Sequence, residues 1–276
     1  MIVSKDFFNL QDTLYSGQIF RFKPFKQGFL IFSKDKVCYA FEDENGVNIE
    51  TDDEKYFYNF FDLNTDYKSI VEGALNENIE VLTKSANIGK GIRILKQDKV
   101  EMFFSFIISQ NNNIKRIQSI IEKLCVLLGE KREFLGQTYH AFPLIERLAN
   151  ESIEFFKGVG LGYRAEYIKE NAVKLLKGEI DLEFLGNLER KELIERLISL
   201  KGIGEKVANC IALFGFNKTD TFPVDTWIEK VYKENIKGSL TDRKKIANYY
   251  IKRFGKNAGY YQQYLFYYKR SIEKRG

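Results

Sequence analysis

Two patterns of hydrophobic and polar positions divide the chain. Short apolar runs separated by turn residues fill the segment from Gln18 to Glu50, and this pattern predicts antiparallel strands. The turns fall at 33–36 and 42–46, and the second one ends in Asn45-Gly46, a pair that tight hairpins favour. The predicted strands span residues 19–22, 29–32 and 37–41.

Apolar residues at helical spacing begin near Asp52 and dominate the rest of the chain, which contains few prolines. We therefore expect an α+β protein, with a small antiparallel sheet domain at residues 1–88 and an all-α domain at residues 89–276. In the second domain, helices are predicted at 100–110, 114–129, 144–149, 152–157, 164–177, 189–200, 205–214, 226–232, 241–254 and 258–274.

A glycine turn interrupts the helical pattern at about residues 189–214. Apolar residues recur at helical spacing on both sides of Gly202 and Gly204, so the segment predicts two helices joined by a tight turn. The second helix begins with backbone N–H groups that have no partner inside the helix, and its dipole favours an anion there. A phosphate group is one such anion. The same glycines are also what a tight turn requires for its geometry alone.

Lys206 and Asp225 are the two residues here that can carry chemistry. Lys206 lies in the first turn of the second helix, where the dipole opposes a positive charge, and a lysine amine can attack an electrophilic carbon. Asp225 precedes an apolar helical pattern, so it is placed as an N-cap and as a carboxylate that stays ionised to stabilise a cationic centre. A surface lysine and a simple cap are the alternative roles.

Composition excludes several classes of protein. No run approaches the roughly 20 apolar residues of a membrane span, and the N-terminus lacks the apolar centre of a signal peptide, so we expect a cytoplasmic protein. Three scattered cysteines support neither a disulfide framework nor a metal cluster. The net charge of +5 alone favours nucleic acid only weakly. Lys269-Arg270 and Lys274-Arg275 are interpreted as a solvated helix end, and His140 as a loop residue without a function.

Several motifs resemble the 8-oxoguanine DNA glycosylase (Ogg) family of the helix-hairpin-helix DNA glycosylase superfamily. The glycine hairpin with Lys206, followed by Pro223-Val-Asp225, is similar to the superfamily as a whole. The family resemblance extends over almost the entire chain, in the family's order, and the chain resembles its compact bacterial or archaeal form. The segments that carry it are Ser16-Gly-Gln-Ile-Phe-Arg-Phe22, Gly91-Ile-Arg-Ile-Leu-Lys-Gln-Asp98, Asn111-Asn-Asn-Ile114, Gly160-Leu-Gly-Tyr-Arg-Ala165, and Ala258-Gly259 through Gln262 to Leu265-Phe266.

The resemblance implies a bifunctional DNA glycosylase and AP lyase with a TBP-like N-terminal sheet. Lys206 would attack C1′ of the damaged nucleotide to give a Schiff base, with Asp225 as the electrostatic partner of the transition state. The imine would then allow β-elimination of the 3′ phosphate. The family also implies a monomer that acts on duplex DNA containing 8-oxoguanine in base excision repair, with no cofactor and no metal.

The resemblance also assigns residues to the flipped base. The main-chain carbonyl of Gly17 would accept the N7–H proton that 8-oxoguanine has and guanine lacks, and a site built around one hydrogen bond rejects the analogue without it. Gln262 would read the Watson-Crick edge. Cys210 and Phe266 would sandwich the base, with Pro223 beside them. Without the resemblance, Gly17 is better interpreted as a turn glycine, and Cys210 and Phe266 as ordinary core residues. Gln262, followed by Gln263, is equally consistent with a polar helix face.

The remaining assignments concern the rest of the duplex. By resemblance, Asn111, Arg116 and Arg164 hold the orphaned cytosine and Tyr163 wedges into the stack, which predicts a preference for damage opposite cytosine. Phosphate contacts or surface ion pairs remain alternatives for the arginines. The backbone contacts would come from Gly202, Gly204 and Trp227, although vertebrate members place a histidine where Trp227 stands.

Two other functions compete with this interpretation. One is a helix-hairpin-helix glycosylase for another damaged base, but iron-sulfur members need four C-terminal cysteines that this chain lacks, and alkylation-specific members usually lack the lysine. The other is a non-catalytic DNA-binding protein that uses the hairpin only for backbone contact. The pairing of Lys206 with Asp225 argues against the second.

Overall fold

A computed structural model describes the backbone of residues 1–273 and the side chains of residues 1–271. The end of the last predicted helix, at residue 274, and the basic pair Lys274-Arg275 lie outside the described residues. The described part combines a five-stranded antiparallel sheet with a larger set of helices, which confirms the predicted α+β class.

The sheet contains five strands in the spatial order β1-β5-β4-β3-β2. Asn45 and Gly46 turn the chain between β4 and β5, as predicted. The first predicted strand is misplaced, because residues 19–20 are buried outside the ladder and the carbonyl of Gln18 accepts a hydrogen bond from the Gln97 side chain. The strands are β1 (Ile2–Val3), β2 (Phe22–Phe25), β3 (Gly28–Ser33), β4 (Lys36–Asp43) and β5 (Gly46–Glu50).

Two helices, α1 (Leu10–Tyr15) and α2 (Glu54–Phe60), cover the sheet and form its core with it. The side chain of Asn9 caps α1 and that of Asp53 caps α2, each by accepting a backbone N–H. Phe57, Phe60 and Phe61 are buried against the inward positions of β3, β4 and β5. Residues on the opposite face of β3 and β4 are buried in a smaller cluster, so both faces of these two strands are covered.

The other helices form a second and larger core. The 16-residue α15 lies within it and packs against α4, α13 and α14. These helices are α3 (Tyr67–Asn76), α4 (Glu80–Gly89), α5 (Lys99–Ile108), α6 (Ile114–Leu128), α7 (Ile145–Asn150), α8 (Ile153–Val159), α9 (Arg164–Leu176), α10 (Leu182–Asn187), α11 (Arg190–Ile198), α12 (Glu205–Phe214), α13 (Thr226–Lys230), α14 (Arg243–Phe254) and α15 (Ala258–Glu273).

Helix α3 precedes residue 88 and helix α4 spans it, but both contribute buried residues to this second core. Tyr67 of α3 packs edge-on against Tyr260 of α15, and α4 makes extensive contact with the same helix. The division at residue 88 stays a prediction.

The helical part contains one hairpin that the apolar pattern does not predict. Strands β6 (Lys131–Phe134) and β7 (Gln137–His140) pair in antiparallel fashion around Leu135 and Gly136. His140 is therefore the last residue of a strand, which corrects its interpretation as a loop residue. Its carbonyl accepts a hydrogen bond from the guanidinium of Arg21, so this hairpin is tied to the sheet domain.

Candidate active site

Helices α11 and α12 form the predicted helix-hairpin-helix, and their turn rests on α9. Gly202 has φ +76°, and a Cβ added there would lie 2.2 Å from the ring of Tyr167. The side-chain amide of Asn171 donates to the carbonyl of Lys201 at 2.9 Å. The fold therefore requires glycine at position 202, for both its backbone angle and its space.

Gly204 has a different environment. It is the N-cap of α12, with φ −94° and no side-chain cap, and no atom lies within 4 Å of an added Cβ. Neither the backbone angle nor the packing therefore calls for glycine at this exposed position. The space above it is open to a partner that approaches the start of α12, where the positive end of the helix dipole favours an anion.

Lys206 projects from the first turn of α12 and is half-buried. Its amine lies 5.8 Å from the centre of the Phe106 ring, and that ring stacks on Phe214. One turn further along α12, the Cys210 thiol is buried and interacts with the lysine side chain. Burial raises the pKa of the Cys210 thiol while the amine opposes this shift, so the thiol stays protonated.

Asp225 caps α13, as predicted. One of its carboxylate oxygens accepts the backbone N–H groups of Trp227 and Ile228, each at 3.0 Å. Burial raises the pKa of the Asp225 carboxyl above its usual value, whereas these two hydrogen bonds and the nearby Lys206 amine lower it. The backbone of its own helix fixes the position of the carboxylate, so its charge is oriented before any reaction takes place.

Seven of the predicted residues line one small pocket. They come from four parts of the chain: the segment after α1, helix α12, the loop before α13, and α15. The enclosed space is about 50 Å³, compared with the cavity of about 150 Å³ that accommodates benzene. A purine therefore requires a side chain to move. The seven predicted residues are Gly17, Lys206, Cys210, Pro223, Asp225, Gln262 and Phe266.

A wider groove of about 650 Å³ joins the mouth of this pocket to the start of α6. Lys206, Asp225, Phe266 and Trp227 line it on one side, and Asn112 and its neighbours on the other. Trp227 is half-buried, and the amine of Lys230 lies 5.1 Å from its ring.

Helix α15 also holds the turn that contains Gly17. Gln263 donates to the carbonyl of Ser16 at 3.0 Å, and the Tyr267 hydroxyl donates to Asp12 at 2.6 Å. The guanidinium of Arg270 donates to the carbonyl of Tyr15. Gly17 itself has φ +89°, a conformation in which a side chain is strained. Gln262 and Phe266 therefore lie on the same helix that fixes the glycine they are predicted to work with.

Gln262 and Gln263 are both buried, so they are not a solvated helix face. The Gln263 amide is used to hold Ser16, whereas the Gln262 side-chain oxygen has no hydrogen-bond partner among the described residues. An unpaired buried acceptor that lines a pocket is available to a ligand that carries donors.

A second cluster collects the residues predicted to meet the opposite strand. Asn111 has φ +45°, and its side-chain amide contacts the Tyr163 hydroxyl at 3.3 Å. The Tyr163 side chain is half-exposed, and Arg116 is exposed with its guanidinium 3.4 Å from the carbonyl of Gly160. The exposed ring and the exposed arginine are both available to a partner.

Arg164 belongs to the same cluster but is buried beneath it. Its guanidinium donates to the carbonyls of Gln110 and Asn111, and its central carbon lies 4.4 Å from the Tyr163 ring centre. This arginine is therefore not part of a surface ion pair, and it holds the backbone on which Asn111 stands. A direct contact between Arg164 and cytosine stays a prediction.

Sequence reasoning missed three residues of the pocket and placed one residue of the groove in solvent. Phe106 and Phe214 lie in runs that are apolar throughout, where periodicity does not distinguish pocket from core. Gln263 was considered only as a possible polar face. Arg270 was interpreted as part of a solvated basic end, and this is wrong because the side chain is 9% exposed and lines the groove. Arg270 lies four residues after Phe266 and therefore on the same face of the helix. This spacing is the sequence signal that indicates its position beside the pocket.

Among the described residues, no group of His, Cys, Asp and Glu side chains is arranged to hold a metal ion, and the three cysteines are free and buried. Within residues 1–273, no helix has the length and apolar content needed to cross a bilayer.

Comparison with known families decides the classification. The sequence profile of the 8-oxoguanine DNA glycosylase N-terminal domain matches residues 1–103. The profile of the HhH-GPD superfamily of base excision DNA repair proteins matches residues 104–254, which is more than half of the chain. The chain belongs to the 8-oxoguanine DNA glycosylase family. It is thus an enzyme of the N-glycosylase/DNA lyase class.

Curated relatives and solved structures agree with this family. A probable N-glycosylase/DNA lyase of Methanothermobacter thermautotrophicus is 31% identical over 75% of this chain and 71% of its own length. The N-glycosylase/DNA lyase OGG1 of Arabidopsis thaliana is 34% identical over 64% of this chain, and the match spans about half, 52%, of the plant protein.

A solved member of the family has the same fold over nearly its whole length. The Clostridium acetobutylicum 8-oxoguanine glycosylase/lyase, solved with double-stranded DNA containing cytosine opposite 8-oxoG, is 35% identical. It covers 97% of this chain and 93% of its own, with a TM-score of 0.92. The 3-methyladenine DNA glycosylase of Archaeoglobus fulgidus, 19% identical with a TM-score of 0.78, shares the fold alone.

Proposed function

We propose that the protein flips 8-oxoguanine out of duplex DNA opposite cytosine, excises it through a Schiff base on Lys206, and nicks the strand by β-elimination. One observation carries this proposal. Lys206, Asp225 and the base-reading residues Gly17, Gln262 and Phe266 line a single pocket, although they come from distant parts of the sequence. An amine and a carboxylate are thereby placed beside the residues predicted to recognise the base.

The reaction follows from the two side chains at the pocket. The lone pair of the Lys206 amine attacks C1′ as the C1′–N9 bond breaks. The electron pair of the broken bond leaves with the base. Positive charge develops on the sugar, and the Asp225 carboxylate, held by the N-terminus of α13, stabilises it. One nitrogen proton neutralises the departing base anion, and the nitrogen lone pair then breaks the C1′–O4′ bond, so that O4′ takes up a proton from solvent and the sugar opens to the protonated imine. Loss of a C2′ proton from the imine then expels the 3′ phosphate.

Recognition of the lesion is assigned to the held turn at Gly17. Its carbonyl accepts the N7–H of 8-oxoguanine, whereas guanine presents an unprotonated N7 and leaves the acceptor unpaired. A lost hydrogen bond of this kind costs about 1–3 kcal/mol. The hydrogen bonds from Gln263 and Arg270 to the two preceding carbonyls keep this turn in place.

We assign binding of the duplex to the glycine hairpin and to the cluster formed by Asn111, Arg116 and Tyr163. Gly204 leaves the start of α12 open, which suits a DNA phosphate. Tyr163 is exposed to fill the gap in the stack, while Asn111 and Arg116 face the orphaned cytosine. Excision rates measured opposite each of the four bases should be highest for cytosine, and equal rates would remove this assignment.

Borohydride trapping on an 8-oxoguanine:C duplex tests the proposal. Wild-type protein should give a covalent protein–DNA adduct, and Lys206→Gln should give none. Lys201→Gln is a matched control, because Lys201 lies in the same hairpin but is exposed and pairs with Glu170 outside the pocket. An undiminished adduct in Lys206→Gln would exclude this lysine as the nucleophile. No adduct with the wild-type protein would reject the lyase mechanism.

We also propose that the enzyme acts as a monomer on nucleoid DNA in the cytoplasm, without a cofactor. All residues assigned to base removal come from one chain and line one pocket. Sedimentation of the free protein and of its complex with a duplex should give one chain per DNA site. Activity that requires a dimer or an added cofactor would contradict this part of the proposal.

A further inference from the structure

Arg270 lies one helical turn beyond Phe266, on the face of α15 that lines the groove at the mouth of the base pocket. Its side chain is 9% exposed, and its guanidinium donates to the carbonyl of Tyr15 at the end of α1. The guanidinium carbon lies 5.1 Å from the centre of the Phe266 ring. Arg270 is therefore fixed on one side by a backbone carbonyl and covered on another by the ring expected to stack on the base.

One nitrogen of this guanidinium, Nη1, does not take part in these contacts. It is buried and has no hydrogen-bond partner among the described residues. It also faces Gly17, because a Cβ built on that glycine would lie 2.9 Å from Nη1. Leaving a buried donor unpaired costs on the order of 1–3 kcal/mol. Buried polar groups are otherwise nearly always paired, so this donor is suited to a partner that arrives with the ligand.

The chemistry of 8-oxoguanine provides that partner. The lesion differs from guanine at two adjacent atoms: N7 gains a proton and C8 gains a carbonyl oxygen. On the proposed function, the Gly17 carbonyl accepts the N7 proton. A donor beside Gly17 then faces the neighbouring C8 oxygen. We propose that Arg270 is a specificity residue whose Nη1 donates a hydrogen bond to the C8 oxygen of the flipped base.

The closed state of the pocket explains why Nη1 is hidden. The pocket holds about 50 Å³, and Phe266 forms one of its walls, with its ring 3.2 Å from the Cβ position of Gly17. Entry of a purine displaces this ring from the space between Gly17 and Arg270. The same movement uncovers Nη1 and admits the C8 oxygen. The donor is thus exposed only when a base occupies the pocket.

The first test separates the C8 oxygen from every other contact. Two duplexes carry 7-deazaguanine or 8-oxo-7-deazaguanine opposite cytosine. Neither base presents N7–H, so the ratio of their affinities reports the C8 oxygen without the contact to the Gly17 carbonyl. Wild-type protein should bind the 8-oxo analogue roughly 10-fold to 100-fold more tightly, as expected for a hydrogen bond to a charged donor. Equal affinities would overturn the proposal, while excision of 8-oxoguanine would still support the proposed function.

The second test removes the donor. Arg270→Met keeps an unbranched side chain against Phe266, and it should bring the affinity ratio close to one. Arg270→Lys retains the charge, but its three N–H donors share one nitrogen and lack the span of the guanidinium fork that reaches both Tyr15 and the base, so it should lower the ratio too. Melting temperatures show whether each variant folds. A variant that folds and keeps the wild-type ratio would overturn the proposal.

A third measurement distinguishes the base from the phosphates. For Arg270→Met, single-turnover excision of 8-oxoguanine should fall at least 10-fold more than strand cleavage at a preformed abasic site, which has no base. Equal losses on the two substrates would assign Arg270 to the backbone and overturn the proposal. Lys68→Met is the matched control, because Lys68 is exposed, faces Glu72 on α3 and lines neither the pocket nor the groove. Both rates should match those of the wild-type protein.

Discussion

At the scale of single residues, Asp225 combines two functions that a substitution can separate. Its carboxylate caps α13 through two backbone N–H groups, and its charge faces the same pocket as Lys206. Asparagine caps helices about as well as aspartate but is neutral. The capping role and the electrostatic role therefore make different predictions for Asp225→Asn.

We predict that Asp225→Asn folds normally and slows 8-oxoguanine excision by roughly 100-fold, the scale of removing one preorganised electrostatic group. Burial raises the folded-state pKa of this carboxyl, so the charged form is disfavoured in the folded protein. The neutral variant should therefore be at least as stable as wild type at neutral pH. Single-turnover rates and urea denaturation measure both quantities. An unchanged excision rate would show that Asp225 acts only as a helix cap.

The same raised pKa predicts an acid limb in the activity. As pH falls through the folded-state pKa of Asp225, which lies above the usual value of 3.8, the carboxylate takes up a proton and loses its effect on the cationic transition state. The wild-type single-turnover rate should decline there, and Asp225→Asn should lack that limb. The same limb in both proteins would point to another group.

Gly17→Ala tests the recognition of N7–H. Position 17 has φ +89°, and an added methyl group would crowd Arg270 and Phe266 at 2.9 and 3.2 Å. The carbonyl must shift, so the preference for 8-oxoguanine over guanine should fall by about 10-fold. Gly178→Ala is a matched control, since Gly178 has φ +73° and open space around it. It should carry the same kind of backbone strain without any loss of selectivity.

The motif residues could be predicted from sequence because each has a required type at a required spacing. Lys206, Asp225 and Gln262 fall in one pocket for that reason. Arg270 could not be predicted, because a charged residue near a chain end normally indicates solvent. Its burial depends on the carbonyl of Tyr15 at the end of α1, more than 250 residues away. Only the fold brings the two together.

At the scale of elements, the two hairpin glycines have different roles. Gly202 is required by the fold, whereas Gly204 leaves space for a partner, and substitutions can separate the two. Gly202→Ala should destabilise the protein by about 1–3 kcal/mol, because a Cβ overlaps Tyr167. Gly204→Ala should change stability by less than about 1 kcal/mol, yet weaken duplex binding at fixed salt by roughly 10-fold, because it fills the space assigned to a phosphate. Wild-type DNA affinity in Gly204→Ala would show that this face is unused.

Strong periodicity made α12 predictable at both ends, at Glu205 and Phe214. The β6–β7 hairpin was missed because its strands are short and mostly polar, and Leu135-Gly136 is not among the usual turn pairs. Strand β2 was placed three residues early. The side chain of Gln97 binds the carbonyl of Gln18 and holds the start of the apolar run outside the sheet. Pairing with β3 therefore begins only at Phe22.

At the scale of the whole molecule, one buried ion pair connects the sheet to the helices. Arg21 contacts Glu101 of α5 at 3.0 Å and donates to the carbonyls of Lys34 and His140. The Glu101 carboxylate also accepts the backbone N–H of Lys34 at 2.7 Å. Burial raises the pKa of Glu101, and Arg21 opposes that shift. The pair therefore stabilises the structure only while both partners are present.

Arg21→Met should destabilise the protein by about 3–5 kcal/mol, because it leaves Glu101 buried without its partner. The double variant Arg21→Met/Glu101→Leu should recover part of this loss, since it removes both charges. Urea denaturation of the two variants measures the difference. A double variant with the summed loss of the two single variants would show that the groups act independently.

The most direct test of the central claim is to locate the covalent bond. Protein trapped by borohydride on an 8-oxoguanine:C duplex is digested with trypsin, and the DNA-bearing peptide is identified by mass spectrometry. The mechanism predicts one modified peptide with the adduct on Lys206 and a missed cleavage after that residue. An adduct on the N-terminal amine or on any other lysine would contradict it.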